Sequence, residues 1–485
     1  MKKHHYIIPF LLVVAALGSC SKMLDKNPDN RTEINTVEKV AQLVGSAYPT
    51  YDYLTFTEKC SDNSEDKGPG VGTLDDQHSR YYTWQDVDGA PTNSAAAYWN
   101  GCYEAIAAAN QALEAIEKGN IGDAVLPYKG EALVCRAYAH HMLAIFFAKN
   151  YEIGGANSSP GVPYVTTPET KLIMQYSRGT VKETYEKIAK DLEEGIKLLS
   201  TSAYKVPKYH FTPAAAHAFA SRFYLFTGEW EKAATHASAV IPSGDFVSNL
   251  RPISTTFRSM TSAEFNIGFT KTDVKATLLL TNCYSSYHYI WDPRYGYGAN
   301  LSRMYTEPNV TGKILANKVL SYGSPNYTSY KYNGYFFYTG PDIGFPYLMI
   351  PLLTVDEALL NRAEAYAELG RNDLALKDIN DFYSVRILNF NINTDGVTLP
   401  KIMAFFSIAD PKEGLVKTIL EAKKAEYMEE GIRWIDLVRR NLTVRKNLYD
   451  PLGVESFIEL KPNDPRRLFQ LPEEVKLSGI ELNPR

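Results

Sequence analysis

Residues 224–233 read YLFTGEWEKA and residues 366–375 read YAELGRNDLA, so a tyrosine, a glycine and an alanine recur with the same spacing. In a pair of antiparallel helices, this tyrosine packs inside the first helix and the alanine lets the second helix approach closely. The glycine closes the turn between the helices, where a left-handed backbone conformation is common. The two stretches therefore predict two helical hairpins and an all-α scaffold.

The spacing resembles that of the tetratricopeptide repeat, a unit made of one helical hairpin. The two copies are not in tandem, because a long segment from about residue 241 to 351 separates them. That segment is rich in Gly, Pro, Asn and Tyr and poor in helical periodicity, which predicts an irregular insertion on a helical scaffold. A second irregular stretch, 57–95, lies between the first helical pattern and the second. Long irregular segments of compact domains are usually functional, so we expect the ligand site there.

Helix start signals support the scaffold. Residues 180–183 (TVKE) and 354–357 (TVDE) each fit a capping box, and residues 212–213 (TP) place an N-cap before a proline. Apolar residues also recur at helical spacing within 106–116 and 135–146. These signals together predict at least six substantial helices.

The composition is that of an ordinary globular protein, with 485 residues, of which 45% are apolar and 22% charged. The formal net charge is -4 and the two signs are interspersed. No basic stripe is available to neutralise a phosphate backbone, which argues against a nucleic-acid partner. The 34 tyrosines are the unusual feature. Tyrosine combines a flat apolar face with a hydroxyl, which suits contact surfaces.

The N-terminus carries the signals of a lipoprotein. Lys2 and Lys3 precede an apolar run over residues 6–17, which is too short to span a bilayer but fits the core of a signal peptide. The run leads into residues 17–20 (LGSC), which form a lipobox pattern. We therefore expect Cys20 to receive the lipid and to become the first residue after cleavage.

The expected organisation follows from this cleavage site. No later stretch of the sequence approaches the length of a membrane span, so the lipid anchor is the expected membrane contact. The expected parts are a signal peptide at 1–19, a lipidated tether at 20–35, and a single domain at 36–485 with an aromatic-rich insertion at about 242–351.

Four cysteines remain besides the lipidated one. An even number in an oxidising compartment leaves one or two disulfides open, whereas buried free thiols are the simpler interpretation for the two in small-residue helical patterns. The four are Cys60, Cys102, Cys135 and Cys283.

A series of sequence blocks resembles the SusD/RagB family over essentially the whole mature chain. The order of the blocks behind a lipobox carries the resemblance, more than any single block. The blocks are residues 24–28 (LDKNP), 99–106 (WNGCYEAI), 130–138 (GEALVCRAY), 161–164 (GVPY), 228–233 (GEWEKA), 357–365 (EALLNRAEA) and 426–437 (EYMEEGIRWIDL).

The resemblance implies an α-helical fold with four tetratricopeptide-like units and an irregular ligand-binding face. It implies a lipoprotein of the outer membrane, at the cell surface, that captures oligosaccharides and has no catalytic activity. The implied partner is a SusC-like, TonB-dependent transporter. A peptide cargo, as in the RagB branch of the family, is one alternative function, and a surface glycoside hydrolase is another.

Aromatic residues of the two irregular segments are the candidate ligand contacts. A sugar ring stacks its apolar C–H face on an indole or a phenol, while polar side chains bind its hydroxyl rim. The alternative is that these aromatic residues fill a hydrophobic cluster beneath long loops. The predicted contacts are two stacking platforms, the tyrosines beside them and three polar partners: Trp84 and Trp291; Tyr81, Tyr289 and Tyr295; Asp292, Arg294 and Asn300.

No sequence motif supports catalysis, a cofactor or a metal. The charged group at 429–439 is interpreted as structural ion pairs, with Glu429 and Arg433 four residues apart. There is no C-x-x-C pair and no histidine pair at helical ligand spacing. A structural calcium site at 62–66 stays open, although no EF-hand motif supports it.

Overall fold

The helices of the protein were located in a computed structural model that describes residues 33–171, 173–289 and 292–485. The predicted signal peptide, Cys20 and Trp291 lie outside the described residues.

The α-helices are α1 Val37–Val44, α2 Leu54–Cys60, α3 Asp76–Tyr82, α4 Ala95–Lys118, α5 Leu126–Phe147, α6 Val181–Ile196, α7 Pro213–Thr227, α8 Trp230–Val240, α9 Ser262–Gly268, α10 Ala299–Ser302, α11 Val355–Glu368, α12 Asn372–Ser384, α13 Ile392–Asp395, α14 Leu399–Phe406, α15 Pro411–Glu426 and α16 Ile432–Arg439.

The strands are fewer and form small antiparallel sheets. β7 is the centre of a three-stranded sheet with β2 and β6 on its two sides, and β1 pairs with β3, β4 with β5, and β8 with β9. The strands are β1 Glu65–Asp66, β2 Thr277–Tyr284, β3 Tyr295–Gly296, β4 Leu320–Ser321, β5 Tyr327–Thr328, β6 Tyr335–Tyr338, β7 Gly344–Thr354, β8 Val444–Tyr449 and β9 Glu455–Leu460.

Helices that follow each other in the chain pack side by side. Helix α4 lies against α5, α5 against α6, α7 against α8 and α11 against α12, and α8 and α15 also pack on α11. The two predicted hairpins are α7–α8 and α11–α12, and their turns contain Gly228 at φ 74° and Gly370 at φ 71°. The alanines that follow, Ala233 and Ala375, are fully buried. The all-α, tetratricopeptide-like scaffold is therefore confirmed.

The helix starts form as predicted, with one difference. Thr180 makes both hydrogen bonds of a capping box with Glu183. Thr354 caps α11 by accepting from the backbone N–H of Glu357, but the Glu357 carboxylate binds Arg222 of α7 instead of closing the box. A buried guanidinium is a stronger partner for this carboxylate than a backbone N–H at a helix terminus.

The prediction of an irregular insertion at 242–351 is corrected in part, because this segment contains the three-stranded sheet. Strand β2 is buried over most of its length, and burial on both faces removes the alternation that identifies a strand in sequence. Strand β7 contains Pro346 and Pro351, which normally argue against a strand. The earlier segment, 57–95, likewise contains the short helix α3, which Asp75 caps.

A buried network of charges joins the insertion to the C-terminal helices. Arg251 binds the carboxylates of Glu426 and Glu430, and Arg386 binds Glu426 and Asp356. The exposed fraction of each of these side chains is 2% or less. Burial raises the pKa of Glu426, but the Arg386 and Arg251 guanidiniums lower it more, and the pKa falls to about 2.

The four cysteines Cys60, Cys102, Cys135 and Cys283 are buried free thiols. Among the described residues, no helix has both the length and the apolar character needed to cross a membrane.

Candidate functional site

A cavity of about 330 Å³ lies where three parts of the chain meet. Helix α2 and the loop after it form one wall, which we call the floor. Residues 287–288 and 293–297 form the second wall, and the segment 322–334, which contains β5, forms the third. Glu429, from the turn between α15 and α16, completes the lining. The volume is at the lower end of the range for small-molecule sites.

Six tyrosines line this cavity, which we call the tyrosine cavity. Tyr297 is almost fully buried, and its ring lies 5.9 Å from the ring of Tyr327. Buried hydroxyls normally have hydrogen-bond partners, but those of Tyr297 and Tyr332 have none among the described residues. The six are Tyr287, Tyr297, Tyr322, Tyr327, Tyr330 and Tyr332.

Buried polar groups of α2 and its following loop form the floor of the cavity. Glu58 is 2% exposed and accepts a 2.6 Å hydrogen bond from the backbone N–H of Gly431. Burial raises the pKa of Glu58 to about 8, so its carboxyl is mostly protonated at neutral pH. The Asn63 side chain lies beside it and is 1% exposed. Neither polar atom of that amide makes a hydrogen bond of ordinary geometry within the described ranges.

Lys59 and His78 are the basic groups of the same floor. Burial lowers the pKa of Lys59 to about 8. Burial and the nearby Lys59 ammonium together lower the pKa of His78 to about 2, so this imidazole is neutral. Its Nδ1 is buried without a hydrogen-bond partner in the part of the chain that the structure describes.

The turn between α15 and α16 holds the walls of the tyrosine cavity together. Glu429 has φ 64° and Gly431 has φ 76°, so the backbone reverses sharply here. The Glu429 carboxylate accepts from the backbone N–H of Ser329 and from the hydroxyls of Ser329 and Thr328. Because Gly431 binds Glu58 of α2, this one turn fixes the aromatic segment 322–334 relative to the polar floor.

Solved structures with the same fold come from Bacteroides species. A B. vulgatus protein for which sugar binding has been suggested is 20% identical, with a TM-score of 0.69 over 94% of this chain and 99% of that one. A SusD-like carbohydrate-binding protein of the same species is 17% identical, with a TM-score of 0.64 over 92% and 96% of the two chains. A SusD superfamily protein from B. thetaiotaomicron is 18% identical, with a TM-score of 0.65 over 93% and 100%. At these identities the likeness establishes the fold.

The sequence itself matches a family model. Residues 22–225 match the SusD-like family described as starch-binding and associating with the outer membrane. Over these residues the chain is similar to the SusD-like family. A comparison with curated protein sequences gives no match.

Two of the predicted ligand contacts are in the core. Tyr81 is 3% exposed, and its hydroxyl accepts from the backbone N–H of Ala95. Trp84 is 5% exposed, donates its indole N–H to the carbonyl of Cys60, and packs its ring 4.3 Å from the Lys446 ammonium. The prediction of Trp84 as an exposed stacking platform is therefore corrected, because its ring is covered on the inside of the protein.

The predicted residues of the second segment are close together but serve different contacts. Tyr295 is 7% exposed and stacks on Tyr82, with 4.3 Å between the ring centroids. Arg294 binds both carboxylate oxygens of Asp66, at 2.8 Å and 3.0 Å, and this pair ties the segment to β1.

None of the remaining predicted contacts is among the described residues that line the tyrosine cavity. Asp292 is exposed and accepts from the Thr73 hydroxyl. Asn300 is exposed and borders a separate cavity of about 260 Å³. Tyr289 ends a short 3₁₀ turn, and Trp291 lies outside the described residues.

The prediction thus identified the segments that build the cavity but not the residues that line it. The second run of tyrosines, between Tyr322 and Tyr332, was the sequence signal that could have found the third wall. The charged pair Glu58 and Lys59 inside an otherwise buried helix was a second signal. The predicted Glu429–Arg433 ion pair is wrong, because Glu429 lies outside α16 and Arg433 binds Asp62 at 2.7 Å instead.

Larger recesses exist in the described part of the chain, at about 970 Å³ and about 900 Å³. The first is lined by residues of 149–160 and 438–484 together with Arg178, and the second by residues of 248–275. We favour the tyrosine cavity because aromatic faces, unpartnered buried polar atoms and shifted pKa values coincide there.

Gly431→Ala is expected to lower the free energy of unfolding by about 2–4 kcal/mol. This cost has two parts, the strain of a left-handed backbone conformation in a residue with a Cβ and the overcrowding that the added Cβ causes. An added Cβ would lie 2.6 Å from the Thr57 hydroxyl oxygen and 2.8 Å from the Tyr53 ring. Gly244 is a matched control, because it has the same φ of 76° with no atom within 4 Å of the added Cβ. Urea denaturation should show the larger loss for Gly431→Ala, and equal losses would contradict the close packing of this turn.

Glu58→Gln is expected to stabilise the protein at alkaline pH and to change little at acidic pH. The folded-state pKa of about 8 lies above the ordinary value of 4.5, so the wild type loses stability as pH rises through this window. Glutamine stays neutral throughout. Urea midpoints of both proteins at about pH 5 and about pH 9 test this, and a difference that does not grow with pH would show that Glu58 is ionised in the folded state.

Proposed function

We propose that this chain captures oligosaccharides at the cell surface in the tyrosine cavity and delivers them to a SusC-like, TonB-dependent transporter. The observation that supports this most directly is the convergence of six tyrosines on one cavity with a buried polar floor. Aromatic rings offer faces for the apolar side of a sugar, and a few placed polar groups fix its orientation.

The unpartnered polar atoms suit a hydroxylated ligand. The Asn63 amide can both donate and accept, the Tyr297 and Tyr332 hydroxyls can do the same, and His78 offers a ring nitrogen. Leaving such groups buried without a partner costs about 1–3 kcal/mol each. The atoms are enclosed in the unliganded structure, so a ligand would reach them through small movements of these side chains and would recover part of that cost. A sugar presents hydroxyl groups on all sides, and each hydroxyl can both donate and accept a hydrogen bond. A ligand of this kind therefore fits a site that offers both donors and acceptors.

The proposed location rests on the N-terminal pattern and on the family. The lipobox at Cys20 and the polar residues after it would tether the domain to a membrane surface, and the matching family is described as associating with the outer membrane. A tethered binding protein raises the local concentration of its ligand beside a transporter. The proposed role is binding and delivery without chemical change of the ligand.

The test is a binding survey of the chain from Ser21 onward, which retains all described residues. A glycan array followed by calorimetry should find oligosaccharides that bind, and chromatography should recover them intact. Peptides that compete with the oligosaccharide would favour the RagB-type cargo, and cleavage of the oligosaccharide would establish a hydrolase. Failure of every oligosaccharide to bind would contradict the proposal.

A further inference from the structure

Lys59 is a buried lysine on the floor of the tyrosine cavity. Its exposed fraction is 3%, and it lines the cavity. A Cβ added to Gly296, another lining residue, would lie 3.7 Å from the Lys59 Nζ, which places the ammonium at the cavity wall. The Tyr287 ring lies beside it, with its centroid 5.8 Å from Nζ.

The Lys59 ammonium has no hydrogen bond or ion pair among the described residues. Other buried lysines of the chain contrast with this. Lys331 donates to Glu430 and to two backbone carbonyls, and Lys446 donates to the carbonyl of Lys59. Buried charges in folded proteins are normally paired, so an unpaired one that faces a cavity is available to a partner from outside.

The carboxyl groups near Lys59 do not supply that partner. Glu58 is mostly protonated at neutral pH, because burial raises its pKa to about 8. The Glu429 carboxylate attracts Lys59 most strongly, but from beyond ion-pair distance, and its Oε2 accepts from Ser329 and Thr328. Asp75 attracts more weakly, and Lys67 repels.

We propose that the tyrosine cavity selects an acidic sugar, whose carboxylate or sulfate group binds the Lys59 ammonium. This inference rests on the proposed capture of oligosaccharides and adds the class of ligand. An anion at this position would neutralise the ammonium at the cavity wall. The ring that carries the anion would lie against Tyr287, which already packs beneath Lys59.

The stability of the unliganded protein separates this role from a structural one. Lys59→Met removes an unpaired buried charge and keeps the length of the side chain, so it is expected to raise the urea midpoint. A lysine that supported the fold would give the opposite result. Lys205→Met is the matched control, because Lys205 is exposed and lies outside the cavity lining, and it should leave the midpoint unchanged.

The binding test uses defined pairs of ligands that differ in charge. Oligogalacturonides and chondroitin oligosaccharides carry carboxylates, sulfated galactan oligosaccharides carry sulfates, and methyl-esterified or carboxyl-reduced oligogalacturonides and malto-oligosaccharides are neutral. Calorimetry should find that an acidic member binds, that its neutral counterpart binds about 30-fold or more weakly, and that Lys59→Met causes a similar loss. Comparison of the carboxylate and sulfate ligands shows which of these two classes of acidic oligosaccharide the cavity prefers.

Two results would overturn the inference. One is tight binding of neutral oligosaccharides that Lys59→Met leaves unchanged, which would keep the proposed function and remove the acidic specificity. The other is a lower urea midpoint for Lys59→Met, which would show that Lys59 stabilises the fold. If no oligosaccharide binds, the proposed function fails, and the stability measurement still decides whether Lys59 is structural.

Discussion

Replacing Arg386 with methionine is expected to lower the free energy of unfolding by about 3–5 kcal/mol. The guanidinium donates to Glu426 at 2.8 Å, to Asp356, and to the carbonyl of Arg251 at 3.1 Å. Methionine would leave the Asp356 carboxylate without its guanidinium partner and would leave Glu426 with Arg251 alone, although these carboxylates are 1% exposed or less. Removing one member of a buried charge network leaves the other charges uncompensated. This destabilises a protein far more than replacing the whole network by apolar residues would.

The measurement is urea denaturation of the purified protein, with Arg371→Met as the control. Arg371 pairs with Glu231 on the surface, where the two side chains are 44% and 61% exposed, so its loss should cost less than about 1 kcal/mol. Similar costs for the two variants would mean that the charge network between the insertion and the C-terminal helices is open to solvent.

Tyr327→Ala is expected to weaken oligosaccharide binding by about 30-fold or more, since truncated aromatic anchors commonly cost 2 kcal/mol or more. Tyr327 is half-buried in β5, and its ring borders the tyrosine cavity beside Tyr297. Tyr322→Ala removes a more exposed ring of the same wall and should weaken binding with less risk to the fold.

The control for the tyrosine variants is Tyr209→Ala. Tyr209 is 40% exposed and lies outside the cavity lining, so its removal should leave the calorimetric affinity unchanged. Equal affinities for the wild type, Tyr327→Ala and Tyr322→Ala, with unchanged urea midpoints, would place the ligand elsewhere on the protein.

The helical scaffold could be predicted because its signals are local. The turn glycines, such as Gly228, and the capping threonines, such as Thr180, act within one helix or one turn, and both were predicted correctly. The three-stranded sheet could not be predicted in the same way. Strand β2 is buried on both faces, so its sequence lacks the alternation of apolar and polar residues that identifies a strand. Its partner β7 lies far along the chain, so the pairing depends on the tertiary fold.

The ligand-contact residues were harder to predict because burial is also a tertiary property. Trp84 and Tyr322 are both aromatic residues in irregular segments, but Trp84 is 5% exposed and Tyr322 is 44% exposed. Nothing in the neighbouring sequence distinguishes them. Likewise, the turn at Glu429 and Gly431 orders the cavity through contacts with α2 and Ser329, which are remote in sequence.

A crystal structure of the protein with its tightest-binding oligosaccharide is the most direct test of where the ligand binds. We predict electron density for a sugar ring in the tyrosine cavity, against Tyr287 and Tyr327 and within hydrogen-bonding distance of Asn63 or Lys59. Density in one of the other recesses, or on the exposed strand β6, with the tyrosine cavity unchanged, would contradict the assignment of this cavity as the ligand site.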